Sequence, residues 1–178
     1  AGMHFANIGY TLAPTAGLAT IAGEIDTAID HIAGMTGDTR LNPSKMIIGG
    51  WSAGAHLAVV ASTNRHVSGV LAISGIYNLE PIALSYINDN LHLTTEEIET
   101  LSPSRHLPDT NASIALVYGA EELPELRRQS EEFATIAKDK GIKISVTGLK
   151  GHNHYTILDE LADPKGSLTK ALLNLAGQ

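Results

Sequence analysis

There is no cysteine anywhere in the 178 residues, which excludes disulfides, thiolate metal sites and cysteine nucleophiles together. That absence leaves the redox compartment undetermined. Positive charge is scarce as well: 12 Lys and Arg stand against 19 Asp and Glu, giving a formal charge of -7, and the basic residues are scattered. Phosphate backbones are bound by clustered Lys and Arg, so nucleic acid is not expected as a partner. No apolar run approaches the roughly 20 residues of a membrane-crossing helix. No membrane partner is expected, and the chain is read as cytoplasmic. Repeats, low-complexity tracts and a signal peptide are also lacking, although the abrupt opening on Ala1-Gly2-Met3-His4 suggests a true start further upstream.

What is present is an ordinary globular composition, 43% hydrophobic and 17% charged, long enough to bury one substantial core. A single domain over residues 1–178 is expected. Its central feature is Gly50-Trp51-Ser52-Ala53-Gly54, preceded by the apolar Met46-Ile47-Ile48 and followed, after Ala55-His56, by the small, apolar Leu57 to Ala61. Strand, tight turn and helix form the setting in which Gly-x-Ser-x-Gly makes a nucleophile elbow. The turn is expected to require glycine at both 50 and 54, and to hold Ser52 in a strained conformation with its hydroxyl exposed at a helix start, where backbone N–H groups and the helix dipole favour an oxyanion. Ser52 is therefore the candidate nucleophile.

Along the rest of the chain, Phe5 to Tyr10 reads as a short strand. Ile21, Ala22, Ile25, Ile29 and Ile32 make one face of a helix from Leu18 to about Gly34–Gly37, with Glu24, Asp26 and Asp30 on its solvated side. Asn42-Pro43-Ser44 then turns the chain into the strand before Ser52. Gly69 to Ser74 and Ile114 to Tyr118 are continuous apolar runs, as expected of parallel strands covered on both faces, and Lys143 to Thr147 is the last strand. Strands alternating with helices predict an α/β fold, a three-layer α/β/α sandwich with a mostly parallel sheet, wound on both faces. Residues 75–112 break the rhythm with prolines at 81, 103 and 108 and a Thr94/Glu97 capping box, and read as a cap-like excursion over the active-site end. A helix follows Pro124, with Leu126, Phe133, Ile136 and Ala137 inward and Arg127, Arg128, Glu131 and Lys138 outward; another runs from about Ser167 to Leu175.

Chemistry-bearing residues follow strand ends in the order serine, acid, histidine, the order of α/β-hydrolases. The serine needs a base for its proton, and the base needs a carboxylate to fix its tautomer. Glu121 and Glu122 both follow Gly119, and His152 and His154 both follow the last strand, so spacing alone chooses neither acid nor base. A His-x-His pair is also half of a metal site, but no third ligand of similar context accompanies it. His4, His56, His66, His92 and His106 are assigned to structure or surface.

Gly-Tyr-Thr-Leu-Ala-Pro at 9–14, Gly-Trp-Ser-Ala-Gly-Ala-His-Leu-Ala at 50–58, Ser-Gly-Ile-Tyr-Asn-Leu-Glu-Pro-Ile at 74–82, Leu-Ser-Pro-Ser-Arg-His-Leu-Pro at 101–108, Pro-Glu-Leu-Arg-Arg-Gln-Ser at 124–130 and His-Asn-His-Tyr-Thr-Ile-Leu-Asp at 152–159 together resemble the kynurenine formamidase (arylformamidase) branch of the α/β-hydrolase esterase/lipase family. The resemblance implies Ser52 as nucleophile, Glu122 as acid, His154 as base and the Ala53 N–H as an oxyanion donor. Glutamate departs from the family's usual aspartate at the acid position and leaves Glu121 as the alternative. The resemblance also implies earlier strands, a first helix and a His-Gly-Gly loop with a second oxyanion donor, whose loss costs on the order of 100- to 1,000-fold in turnover. A covering N-terminal segment, cleaved, on a second chain or outside this sequence, is expected to shield the sheet edge.

The activity so implied is hydrolysis of a small N-formyl aryl amide or carboxylic ester through an acyl-enzyme, with no metal or cofactor. A short-chain carboxylesterase or lactonase is the related alternative, and a non-catalytic binding module the alternative of another class. Oligomeric state is not legible; a homo-oligomer is compatible with the sequence.

Overall fold

In the computed structural model, which describes residues 2–35 and 45–177, four strands form one parallel sheet: β1 (Met46–Trp51), β2 (Val67–Ile73), β3 (Ser113–Gly119) and β4 (Ile144–Leu149). They lie side by side in chain order, each hydrogen-bonded to the next. The helices are α1 (Leu18–Ala33), α2 (Ala53–Val60), three short ones, α3 (Glu80–Ala83), α4 (Asn88–Leu91) and α5 (Thr95–Thr100), then α6 (Pro124–Asp139), α7 (Asp159–Ala162) and α8 (Ser167–Ala176).

The continuous apolar runs of β2 and β3 are explained by cover on both faces. Val70, Ala72, Ile114 and Leu116 point to one side, where Ile21, Ile25 and Ile29 of α1, Leu57 and Val59 of α2, and Phe133 and Ala137 of α6 complete a core. Leu71, Ile73, Ala115 and Val117 point to the other, against Leu168 of α8 and Ile157 in the turn just before α7. Alternate residues of one strand thus serve opposite layers. All the crossovers from β1 through β4 fall on the first face, so strand order does not reverse among the described residues. The flanking β1 and β4 are only partly buried.

Three expectations need correction. Phe5 to Tyr10 is not a strand: it follows an irregular path with no ladder partner among the described residues, and Phe5 is exposed. The segment is anchored at Thr11, whose backbone N–H and hydroxyl donate to the Glu24 carboxylate at 2.7 and 2.8 Å. Glu24 is therefore a tether, and those two donors hold its carboxyl below the usual carboxylate range. Arg127 is half-buried and donates from Nη1 to the Ala120 carbonyl at 3.1 Å, so it does not simply face solvent. The turn expected at Asn42 to Ser44, and the Gly37 limit of α1, lie outside the described residues.

The segment between β2 and β3 is fastened to the core by polar contacts. Gln129 of α6, fully buried, accepts the backbone N–H groups of Tyr77 and Asn78 at 2.8 and 2.9 Å, and Tyr77 stacks on Phe133 with ring centroids 4.8 Å apart. The Thr94/Glu97 capping box starts α5. Just beyond α5, the Leu101 carbonyl accepts a 2.7 Å bond from Nε2 of His56, a buried side chain of α2. A carbonyl can only accept, so Nε2 carries the proton.

Burial pushes the His56 pKa below its ordinary value, against the weaker opposing pull of the Leu101 carbonyl. Below about pH 6.5 the unfolded chain protonates this imidazole while the folded chain resists, so unfolding takes up a proton and stability is lost as the pH is lowered. Urea unfolding between pH 7.5 and 5.5 should show stability sloping downward through this group as the pH falls into the lower half of the range. His56→Gln should flatten that slope; an unchanged slope would assign it to other groups.

Candidate active site

The carboxyl ends of the strands lie at one edge of the sheet, and each chain segment continues the ladder for one residue before turning away. The Ser52 N–H donates to the Ile73 carbonyl (2.9 Å), the Ser74 N–H to the Val117 carbonyl (2.8 Å) and the Ala120 N–H to the Leu149 carbonyl (2.8 Å). Ser52 then adopts φ 56° and ψ -118°, a conformation that side-chain-bearing residues avoid. Its side chain does not cap α2, which leaves the hydroxyl free to point outward. Ala53, the first residue of α2, has an N–H that lies ahead of the helical ladder and beside that hydroxyl in the chain.

The glycine requirement is one-sided. A Cβ on Gly50 would sit 2.3 Å from the carbonyl carbon and oxygen of Gly54, an impossible approach. A Cβ on Gly54 meets nothing within 4 Å, so the expectation that both positions exclude side chains is corrected: the turn crowds position 50 alone.

The loops that carry Glu122 and His154 are brought to Ser52 by a second close approach. A Cβ on Gly119 would lie 2.3 Å from the His152 carbonyl oxygen, and that same oxygen accepts the Glu121 N–H at 3.0 Å. Across this contact, His154 Nε2 lies 3.1 Å from Ser52 Oγ, and His154 Nδ1 lies 3.4 Å from Glu122 Oε2. A carboxylate only accepts, so Nδ1 carries the proton and Nε2 turns a lone pair toward the serine hydroxyl. Exposure falls along the line: the His154 side chain is 20% exposed, that of Glu122 0%.

Of the paired alternatives, Glu122 and His154 meet Ser52. Glu121 points to solvent. His152 faces away, its Nδ1 3.1 Å from the Thr156 carbonyl and its Nε2 3.2 Å from Glu160 Oε1. Among the described residues no three His, Asp or Glu side chains are grouped to hold a metal ion.

Sequence reading passed over two neighbours. The Trp51 indole N–H donates to the His154 carbonyl at 2.8 Å, and the two rings lie 4.8 Å apart, so the residue preceding the serine also holds the histidine loop. Its only signal was an aromatic in the middle of a turn. The other is Ser74, buried, with φ 52°, whose hydroxyl donates to Glu122 Oε1; the Gly119 N–H donates to the same oxygen at 2.8 Å.

A family described as BD-FAE matches residues 1–79, the part that contains the elbow. Kynurenine formamidase of Danio rerio is 30% identical over 184 residues, covering 96% of this chain and 61% of its own length. That of Salmo salar is 27% identical, covering 96% and 62%. A Pyrobaculum calidifontis esterase superposes with a TM-score of 0.79 at 15% identity, over 94% of this chain and 64% of that one. The chain shares the α/β fold of that solved structure. It spans about three fifths of the length of these relatives. No helix of this chain, among the described residues, is long and apolar enough to cross a membrane.

Gly50→Ala should cost at least about 3 kcal/mol in urea unfolding, because backbone must move. Gly54→Ala should leave the chain folded and stabilise α2 by about 0.5–1 kcal/mol. Equal losses would mean that the turn crowds both positions.

Proposed function

We propose that this chain is a serine hydrolase that cleaves a small N-formyl aryl amide or carboxylic ester through an acyl-enzyme. The observation that supports it most is the unbroken line Ser52 Oγ, His154 imidazole, Glu122 carboxylate at 3.1 and 3.4 Å, inside a fold whose sequence relatives are named kynurenine formamidase.

In this reading His154 Nε2 takes the Ser52 proton as Oγ attacks the carbonyl carbon. Negative charge builds on the former carbonyl oxygen beside the Ala53 N–H and the start of α2, where the helix dipole favours it. Imidazolium forms next to a buried carboxylate, and the 3.4 Å separation from Glu122 shortens as that charge develops. His154 returns the proton to the departing amine or alcohol. Water, deprotonated by the same imidazole, then attacks the acyl carbon and releases Ser52. The segment carrying α3, α4 and α5 lies after Ser74 at the same edge of the sheet, and in this reading it shapes one wall of the substrate pocket.

A fluorophosphonate reagent should add one phosphonyl group to the folded protein, located by peptide mass spectrometry on Ser52 and absent in Ser52→Ala. No adduct on a well-folded sample would favour a non-catalytic binding module. Glu122→Gln should lower kcat for an aryl formamide or aryl ester by roughly 10³–10⁴-fold, whereas Glu121→Gln should leave it roughly unchanged. Equal losses would remove Glu122 from its role.

A further inference from the structure

The acid of this site is a glutamate, with one more rotatable bond than an aspartate, and it is completely buried. A carboxylate so placed needs hydrogen-bond partners, and its facing oxygen needs a fixed direction to orient a histidine. Glu122 Oε2 faces His154 Nδ1. Its other oxygen, Oε1, accepts both the Gly119 N–H, from three residues before it, and the Ser74 hydroxyl, 48 residues away on the end of the neighbouring strand.

Ser74 is built for this contact in a way that packing alone does not explain. It is buried and sits at φ 52°, a left-handed conformation that costs a side-chain-bearing residue about 1–3 kcal/mol. Glycine would relieve that strain, yet the hydroxyl-bearing residue stands there. The next residue is Gly75, and the loop beyond is pinned by Gln129 through the N–H groups of Tyr77 and Asn78, so Ser74 cannot drift from the acid. Other ionisable groups in the surroundings are the phenols of Tyr77 and Tyr118, near enough to feel the Glu122 charge; neither is hydrogen-bonded to it.

We propose that Ser74 is a positioning residue for the acid: with the Gly119 N–H it clamps Oε1 of Glu122, so that Oε2 is presented to His154 in a single orientation. This rests on the reading of Ser52, His154 and Glu122 given above. Ser74 touches no reacting atom; it acts only through Glu122.

The test is a double-mutant cycle between Ser74→Ala and Glu122→Gln, read by kcat and KM for p-nitrophenyl acetate and by the labelling rate of Ser52 with a fluorophosphonate. Ser74→Ala should lower kcat and the labelling rate about tenfold, the size of one hydrogen bond to a charged group, with KM within about twofold. In the Glu122→Gln background the same change should cost less than about twofold, because the group it serves is gone. Ser74→Gly removes the hydroxyl while relaxing the backbone; it should stay folded by circular dichroism, with a melting temperature near wild type, and lose activity as Ser74→Ala does. Full activity in Ser74→Gly, or an undiminished tenfold loss in the Glu122→Gln background, would overturn the proposal. If instead Glu122→Gln alone retains full activity, the reading of Glu122 as the acid falls, and this proposal falls with it.

Discussion

Ser52 and Ser74 stand one residue past the ends of adjacent parallel strands, both at positive φ, and both donate their N–H to the last residues of the next strand. Such conformations persist only where the surroundings over-determine them. Here the ladder does so: the N–H is committed to the sheet before the chain departs, so the only freedom left is the direction of departure. Removing β2 or β3 would let both serines relax, and the alignment of their hydroxyls would go with them. The core beneath supplies the rigidity, since β2 and β3 are packed on both faces by large aliphatic side chains. The cost of two strained residues, about 1–3 kcal/mol each, is small beside the burial of those two strands.

Glu122 and His154 arrive by a different device. Beyond the single bond from the Ala120 N–H to the Leu149 carbonyl, each loop is held against the other, with Gly119 letting the His152 carbonyl approach to where a methyl group would stand. His152 therefore matters through its backbone, while its side chain turns to Glu160 and Thr156. Trp51 completes the link by donating from the elbow side to the carbonyl of His154. Three segments far apart in sequence are thus joined by backbone contacts first, and the side-chain line follows from them.

How much of this was legible depended on whether the signal was local. The buried strands were readable because cover on both faces demands unbroken apolar runs, and α1 because Leu18, Ile21, Ile25 and Ile29 repeat at helical spacing. Ser52 was readable because its constraint is contained within five residues. Phe5 to Tyr10 misled because strand propensity is not a strand without a partner, and Glu24 because a carboxylate on an outer helix face looks solvated until Thr11 is brought to it. The choices between Glu121 and Glu122, and between His152 and His154, depend on which side chain a loop turns inward, and that is set by the Gly119 contact across about 30 residues of chain. Ser74 was visible as the end of an apolar run, but nothing local to it announces the carboxylate 48 positions later.

Burial of that carboxylate links stability and reactivity in one group. A charge removed from water is tolerable only when its hydrogen bonds are complete, and Glu122 has three donors around it: the Ser74 hydroxyl, the Gly119 N–H and the His154 Nδ1–H. Two of them come from the sheet edge. The third sits on an imidazole that is partly exposed and carried by a loop, and its bond is the longest of the set at 3.4 Å. The network is therefore closely bonded at the sheet edge and slack at His154. In the proposed reaction that slack is where developing imidazolium charge would draw the pair together, so the least satisfied bond of the resting site is the one that strengthens in the transition state.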